Sequence, residues 1–186
     1  MKDISLIGFM GCGKSSVGKI LATLLPECRL IDLDTYIEEK QGKNIPEIFN
    51  EYGESAFRRM EREALEEIFR DPDRPRAILS LGGGTVTTEE CRQLIRQHTD
   101  CFYLRATTGT LLANLEDHSE GRPMLNPTQP VEASSTEVPS EREALRRRIE
   151  SLTQTRSPQY IATAHHIIDI NGHTAAQIAA QIAAQI

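Results

Sequence analysis

The chain has 186 residues, of which 39% are hydrophobic and 26% charged, and its formal net charge is −6. This length is enough for one globular domain with a substantial core, and the negative charge argues against a general nucleic-acid-binding surface. No apolar run approaches the roughly 18 residues that a membrane-spanning helix needs, so we expect no membrane partner.

The N-terminus runs directly into the first predicted strand, so we expect no signal peptide. Cys12, Cys28, Cys91 and Cys101 form neither a C-x-x-C pair nor a zinc-binding spacing. We therefore expect four reduced thiols and a cytoplasmic location. Nothing in the sequence demands a second copy of the chain, so we expect a monomer.

The segment from Gly8 to Ser15 fills every fixed position of the G-x-x-x-x-G-K-[ST] phosphate loop. The apolar run Ile4–Ile7 predicts a strand before it, and apolar residues at helical spacing predict a helix after it. Backbone N–H groups of such a loop cradle phosphates, and the helix N-terminus adds positive charge. Lys14 can reach the outer phosphates, and the Ser15 hydroxyl can ligate Mg²⁺. The predicted nucleotide-binding residues are Gly11, Cys12, Gly13, Lys14, Ser15 and Ser16.

The second predicted strand ends in two carboxylates at alternate positions, Asp32 and Asp34. Alternate strand residues share a face, so both can point toward the phosphate loop. Asp32 would then support Mg²⁺ through a water, and Asp34 would reach the acceptor hydroxyl as a base. The alternative is that one or both aspartates cap the next helix, which we predict to begin near Thr35.

A clear amphipathic pattern predicts a helix over Glu54–Phe69. Within it, Arg58 and Glu61 stand at i and i+3 and can pair, which would fix the guanidinium for a substrate carboxylate. An ordinary solvated charged face is the competing interpretation. The glycine run Gly82, Gly83 and Gly84 follows the third strand, where backbone N–H groups can contact a ligand; a plain tight turn is its alternative.

Residues 116–156 contain four prolines and a polar stretch, which predict a mobile lid followed by a short charged helix from Ser140. Arg122 in this segment could close over the transferring phosphoryl group, and Arg156 stands at its far end. The run Arg146–Arg148 is more typical of a solvated helix face. The alanine-rich C-terminus predicts a closing helix packed on the sheet.

Five strand-like runs alternate with helical segments along the chain: Asp3–Gly8, Arg29–Leu33, Ala77–Leu81, Cys101–Leu104 and His166–Ile170. Such alternation predicts an α/β fold of three layers, with a five-stranded parallel sheet flanked by helices. The whole chain forms one phosphate-loop domain on this interpretation.

Taken in order, these motifs resemble the shikimate kinase family. The resemblance rests on the phosphate loop, the aspartate pair, Phe57-Arg58-Arg59-x-Glu61, the glycine run, Arg122-Pro123 and Arg156-x-Pro158-x-Tyr160. It implies a nucleoside monophosphate kinase fold. It also implies transfer of the γ-phosphate of ATP, with Mg²⁺, to the 3-hydroxyl of shikimate, on the pathway to chorismate and aromatic amino acids.

The resemblance also implies a role for each matching residue. Segment 33–70 would bind shikimate, with Asp34 on its hydroxyls and as the base. Arg58, Arg156 and the N–H groups of Gly82–Gly84 would hold its carboxylate or ring, and Glu61 would position Arg58 or a hydroxyl. Phe49 and Phe57 would form an apolar wall, and Arg122 would be the lid arginine.

Two features depart from the family pattern. Residues 126–141 lengthen the segment between Arg122 and Arg156, and Thr110–Leu115 lacks the arginine that the family often places on the adenine. Residues near His173 and Thr174 could supply that contact. Two other functions stay open on the residues alone: a gluconate-type or nucleotide kinase, and a non-catalytic nucleotide-binding module or ATPase switch.

Overall fold

The structure, a computed structural model, describes residues 2–116 and 140–186, apart from the side chain of Glu116. Its five strands form one sheet in the order β2-β3-β1-β4-β5, and every neighbouring pair is parallel. The strands are β1 (Asp3–Ile7), β2 (Arg29–Asp32), β3 (Ala77–Ser80), β4 (Thr99–Arg105) and β5 (His166–Asp169). The predicted five-stranded parallel sheet is confirmed.

Seven α-helices accompany the sheet within the described residues. They are α1 (Lys14–Leu24), α2 (Leu33–Gln41), α3 (Ile45–Arg70), α4 (Glu89–His98), α5 (Thr108–Glu116), α6 (Glu141–Thr163) and α7 (Ala175–Ala183). A short 3-10 helix, Thr85–Thr87, follows β3. None of the helices in the described ranges is long and apolar enough to cross a membrane.

Alternate residues of the strands face two separate hydrophobic cores. Leu6 and Ile78 pack in one core with residues of α1, α5 and α7, whereas Ile7 and Leu79 pack in the other with residues of α2, α3 and α4. Both faces of the sheet are therefore covered, as a parallel sheet of apolar strands requires. The predicted three-layer α/β architecture is confirmed.

Helix α3 is longer than the predicted Glu54–Phe69 segment. It begins at Ile45, and Asn44 and Glu47 form a complete capping box at this end. The helix is interrupted at Gly53, whose φ is 76°. The predicted helix thus starts directly after the break. Only glycine adopts this left-handed backbone conformation without strain, so Gly53 sets the angle between the two parts of α3.

Helix α6 is also longer than predicted, and the expectation of a short helix was wrong. It extends for 23 residues with Pro158 inside it, and the Ser140 side chain caps it by accepting a hydrogen bond from Glu143 N at 3.3 Å. Ile149 and Tyr160 are fully buried, so tertiary packing sustains a helix whose charged sequence gives little apolar periodicity. Segment 116–156 consequently includes the first part of α6, while residues 117–139 lie outside the described residues.

The closing helix α7 forms where predicted, with a capping box between Thr174 and Gln177. Its Ile178 and Ile182 are buried in the core that α1 also enters.

The register of the sheet aligns the carboxyl ends of its first three strands. Leu6 of β1 and Asp32 of β2 both stand beside Ser80 of β3. The segments that follow these strands are the phosphate loop, the start of α2 and the glycine run. They therefore meet at one edge of the sheet.

Candidate active site

A cleft of about 520 Å³ opens at this edge of the sheet. Open parallel sheets bind ligands outside the carboxyl ends of their strands, and this cleft occupies that position. Its lining includes these residues singled out from the sequence: Gly11, Gly13, Lys14, Ser15, Ser16, Asp32, Asp34, Phe49, Phe57, Arg58, Glu61, Gly82, Gly83, Gly84 and Arg156.

The phosphate loop needs its glycines for their backbone conformation. Gly8, Gly11 and Gly13 have φ values of 148°, 82° and 86°, which L side chains rarely adopt. Gly13 is the N-cap of α1 and brings no side chain to that helix end. The first N–H groups of α1 are therefore free of side-chain caps and can meet an anion.

Lys14 is buried and held by the loop itself. Its Nζ donates hydrogen bonds to the carbonyl oxygens of Gly8 at 2.9 Å and Phe9 at 3.1 Å, and the Cys12 Sγ lies 3.8 Å away. An ammonium group has three donors, so the two strong bonds leave one donor with only the sulfur. A phosphate oxygen would be the better partner for that donor.

Three oxygen-bearing side chains meet below the loop. Ser15 Oγ donates to Asp32 Oδ2 at 2.9 Å, and the hydroxyls of Ser15 and Ser80 are 3.3 Å apart. The other Asp32 oxygen caps α2 by accepting from Thr35 N at 3.4 Å. Asp32 thus caps the helix, as the alternative interpretation held, while its second oxygen faces the Ser15 hydroxyl; its role toward Mg²⁺ stays a prediction.

The prediction that Asp34 shares a strand face with Asp32 was wrong, because β2 ends at Asp32 and the next helix begins at Leu33, not near Thr35, so that Asp34 lies in the first turn of α2. Asp34 and Glu61 nevertheless place two carboxylates close to each other at the acceptor side. Burial raises the pKa of Asp34 from 3.8 to about 6, with further contributions from the negative charges of Glu61 and Asp32 and an opposing one from Lys14. Burial also raises the pKa of Glu61, while Arg58, the Thr85 hydroxyl and Arg156 act against it. Asp34 is consequently ionised at neutral pH, yet it is more basic than an exposed aspartate.

The predicted pair between Arg58 and Glu61 forms. Arg58 Nη1 donates to Glu61 Oε2 at 2.6 Å, and Nη2 donates to Glu54 Oε1 at 3.0 Å. The Glu61 side chain has no exposed surface, and that of Arg58 retains only 14%. The alternative of an ordinary solvated face is therefore wrong for these two residues.

The glycine run is required for space, not for backbone conformation, because none of its three φ values is positive. A Cβ on Gly82 would lie 3.0 Å from Asp34 Oδ1 and 3.1 Å from Glu61 Oε1, and one on Gly83 would lie 3.2 Å from Met10 N. Gly82 thus leaves room for the two carboxylates of the acceptor side, and Gly83 leaves room for the backbone of the phosphate loop.

The carbonyl oxygen of Gly83 ties this loop to α6. It accepts hydrogen bonds from Arg156 Nη1 at 3.4 Å and Tyr160 Oη at 2.5 Å. Both side chains are buried, and the Tyr160 ring stacks on Tyr103 with 5.0 Å between centroids. Arg156 is therefore brought into the cleft by a helix from a distant part of the sequence.

One predicted site residue in the described part of the chain, Cys12, does not line the cleft. Its side chain is buried, and its backbone N–H donates to the Phe9 carbonyl oxygen at 3.2 Å. Arg122 lies outside the described residues. The roles suggested for both stay predictions.

Several lining residues were not found from the sequence: Met10, Ile45, Ser80, Leu81 and Asn114. Ser80 and Leu81 adjoin the glycine run at a strand end, a position that could have drawn attention to them. Asn114 Nδ2 donates to the Gly11 carbonyl at 2.8 Å, a contact between elements that no local pattern reveals. The predicted aromatic wall does form, with the Phe49 and Phe57 rings 4.8 Å apart.

The residues suggested as adenine contacts lie near the carboxyl end of β5. His173 Nδ1 is 2.9 Å from the Asn171 carbonyl oxygen, and Thr174 caps α7. Asn171 in turn links to α5, since Thr110 Oγ1 donates to its Oδ1 at 2.7 Å. Adenine binding at this position stays a prediction.

Comparison with known proteins identifies the family of the chain. The family model described as shikimate kinase matches residues 10–186. A shikimate kinase of Enterococcus faecalis is 42% identical over 74% of this chain and 77% of that protein. One of Thermus thermophilus is 35% identical over 96% of this chain and 86% of that protein. The solved structure of shikimate kinase from Acinetobacter baumannii in complex with shikimate has a TM-score of 0.83 at 31% identity, and the match covers 100% of this chain and 92% of that one.

Proposed function

The chain belongs to the shikimate kinase family, and we propose how the residues of its cleft share the family's reaction. The enzyme transfers the γ-phosphoryl group of ATP to the 3-hydroxyl of shikimate, a step toward chorismate and the aromatic amino acids. One observation carries the assignment of residues. A single cleft contains a phosphate loop on one side and a set of carboxylates and arginines on the other.

The donor side binds ATP through Gly11–Ser16. The uncapped N-terminus of α1 and the third donor of Lys14 hold the β- and γ-phosphates. Phosphoryl transfer depends mainly on alignment and on neutralising charge. A buried ammonium group serves both needs because it is fixed before the substrate arrives.

The residues below the loop fit a Mg²⁺ ion. Mg²⁺ prefers oxygen ligands and keeps several waters, and Ser15, Asp32 and Ser80 converge there with two hydroxyls and one carboxylate. In the described ranges no group of three or more acidic, histidine or cysteine side chains could form a metal cage, so the ion would rely on these hydroxyls, the one carboxylate, waters and the phosphates. Ser15 would ligate the ion directly and Asp32 through a water. When bound, the ion would neutralise charge on the β- and γ-phosphates.

The acceptor side orients shikimate through its carboxylate and hydroxyls. Arg58 offers its terminal Nη2, now shared with exposed Glu54, and Arg156 adds a second guanidinium. The N–H groups of Gly82–Gly84 contact the ring or the carboxylate. Binding energy at these groups, remote from the reacting hydroxyl, fixes the in-line geometry.

Asp34 accepts the proton of the 3-hydroxyl as it attacks the γ-phosphorus. A base is most effective when its pKa lies near the working pH, and the raised pKa of Asp34 brings it closer. The nearby Glu61 positions Arg58 and maintains that pKa. Arg122, which lies outside the described residues, is proposed as the lid arginine that covers the phosphates. We also propose a cytoplasmic monomer with no nucleic-acid or membrane partner.

The test is release of ADP from Mg·ATP, followed with a coupled indicator enzyme. Shikimate should stimulate release strongly, whereas gluconate and AMP should not. Lys14→Ala should lower turnover by orders of magnitude, and Lys19→Ala on the exposed face of α1 serves as the matched control. Stimulation by gluconate or AMP alone would overturn the acceptor assignment. A rate of ADP release that is the same with and without shikimate, gluconate or AMP would indicate an ATPase without an acceptor.

A further inference from the structure

Thr85 lies behind the acceptor side of the cleft and does not line it. It begins the 3-10 helix that follows the glycine run, and it is fully buried. Its hydroxyl donates a hydrogen bond to Glu61 Oε1 at 2.5 Å. A buried hydroxyl therefore contacts a buried carboxylate, and the proposed reaction gives this hydroxyl no role.

Glu61 divides its two oxygens between Thr85 and Arg58. Oε1 accepts from the Thr85 hydroxyl and Oε2 accepts from Arg58 Nη1 at 2.6 Å. Because the carboxylate has no exposed surface, water cannot replace either partner. The orientation of its plane, and with it the direction of the Arg58 guanidinium, depends on both bonds.

The other carboxylate on Arg58 cannot substitute for Glu61. Glu54 has 52% of its side chain exposed, and an exposed ion pair contributes little to fixing a side chain. Arg58 is therefore anchored from the inside, through Glu61, while its Nη2 is paired only with the exposed Glu54 carboxylate, which a ligand carboxylate could displace.

We propose that Thr85 is a positioning residue for shikimate recognition, acting through Glu61 on Arg58. The inference rests on the proposed function, in which Arg58 binds the shikimate carboxylate. Without the hydroxyl, Glu61 Oε1 would be a buried acceptor without a partner, which is costly. The carboxylate would then turn toward Arg58 or take up a proton. Either change moves the guanidinium away from the direction that the substrate needs.

The electrostatics of the site support this role. The hydrogen bond from Thr85 is one of the interactions that oppose the rise in the pKa of Glu61 caused by burial. It therefore helps to keep Glu61 charged, and a charged Glu61 is what holds Arg58.

The first experiment compares Thr85→Val with Thr85→Ser. Valine keeps the shape but removes the hydroxyl, so the KM for shikimate should rise about tenfold while the KM for ATP changes less than twofold. Serine keeps the hydroxyl and should restore the KM for shikimate to within about threefold of the native value. The matched control is Thr99→Val, which removes another fully buried hydroxyl, bonded to the Ile95 carbonyl at 2.7 Å, at the opposite end of the sheet. It should leave both KM values unchanged.

The second experiment is a double-mutant cycle with Arg58→Ala. If Thr85 acts through Arg58, Thr85→Val should add less than a twofold effect on the KM for shikimate in the Arg58→Ala background. An equal tenfold effect in both backgrounds would overturn the proposal, as would an equal rise in both KM values in the single variant. If Thr85→Val does not fold, Thr85→Ala takes its place in the cycle.

Failure of the proposed function has a different signature. In that case native protein shows no stimulation by shikimate, or Arg58→Ala leaves the KM for shikimate unchanged. If Arg58→Ala raises that KM and Thr85→Val does not, the proposed function stands and the role of Thr85 is wrong.

Discussion

The guanidinium group of Arg58 occupies the space that a side chain on Gly84 would need. A Cβ built on Gly84 would lie only 2.6 Å from Arg58 Cζ and would overlap both terminal nitrogens. Gly84 itself has φ −105° and ψ −7°, a conformation open to any residue. Position 84 therefore requires glycine because the Arg58 guanidinium fills the space of a side chain, and not because of the backbone conformation.

Gly84→Ala should displace Arg58 while leaving the fold intact. The atoms in the way belong to the end of a long side chain, so it can move without a change in the backbone, although the shift weakens its pairing with buried Glu61. We expect the KM for shikimate to rise at least tenfold and the melting temperature to fall by several degrees. Gly109→Ala is the control, because its Cβ would meet only Thr107 Oγ1, at 3.9 Å. An unchanged KM for shikimate in Gly84→Ala would place the carboxylate elsewhere.

Activity should fall in acid as Asp34 takes up a proton. Its pKa is about 6, so kcat/KM for shikimate should be level above pH 7 and should decrease about tenfold per pH unit well below 6. The measurement is a pH profile of kcat/KM at saturating ATP. Asp34→Asn should be orders of magnitude less active and should lack this limb. A limb centred near pH 4 in the native enzyme would contradict the assignment of the base.

The same shift predicts that Asp34 destabilises the folded protein at neutral pH. Its pKa is higher in the folded state than its ordinary value of 3.8, so the folded state binds the proton more tightly. The stability that the Asp34 carboxyl contributes is then greatest below pH 4 and is lost as the pH rises from about 4 through 6. Asp34→Asn should raise the free energy of unfolding by up to about 3 kcal/mol at pH 7.5.

Urea unfolding at two pH values checks this expectation. The gain from Asp34→Asn should disappear near pH 4, where the native carboxyl is already neutral. Asp73→Asn, in the exposed loop before β3, should show no such pH-dependent gain. Equal free energies of unfolding for Asp34→Asn and native protein at pH 7.5 would indicate that burial does not raise the pKa of Asp34.

Mg²⁺ dependence should report on Asp32. Asparagine is as good a helix cap as aspartate, so Asp32→Asn keeps the bond from Thr35 N and replaces the charged oxygen that faces Ser15 with an uncharged amide nitrogen. We expect the Mg²⁺ concentration for half-maximal activity to rise at least tenfold with little change in melting temperature. Chelation with EDTA should abolish activity of the native enzyme reversibly. A titration in which Asp32→Asn matches native protein and Asp73→Asn would remove Asp32 from the metal site.

Glu54 and Glu61 should contribute unequally to Arg58, although each accepts one of its hydrogen bonds. Glu54 is exposed, so Glu54→Gln should change the KM for shikimate by less than threefold. Glu61 is fully buried, so Glu61→Gln should raise the KM for shikimate at least tenfold. Steady-state kinetics of the two variants decide the matter, and equal effects would show that Arg58 has no preferred inner anchor.

The sequence was most informative where one local pattern serves one purpose. The phosphate loop could be predicted because fixed glycines, a lysine and a serine occupy set positions within one short stretch. Arg58 and Glu61 could be predicted because they are one helical turn apart.

Contacts between distant elements were not predictable in the same way. Thr85 faces Glu61, and Asn114 reaches Gly11, only because the sheet brings their elements together. The length of α6 was missed for a related reason, since packing of Ile149 and Tyr160, rather than a periodic sequence, sustains that helix.

The hydrogen bonds to the Gly83 carbonyl span 73 and 77 residues of chain, whereas those that hold Lys14 span six and five. Phosphate binding thus depends on one short stretch of chain, which can recur as a unit in different proteins. The choice of acceptor belongs to the assembled chain as a whole. A new acceptor specificity would accordingly require changes in several distant segments at once, while the donor site could remain as it is.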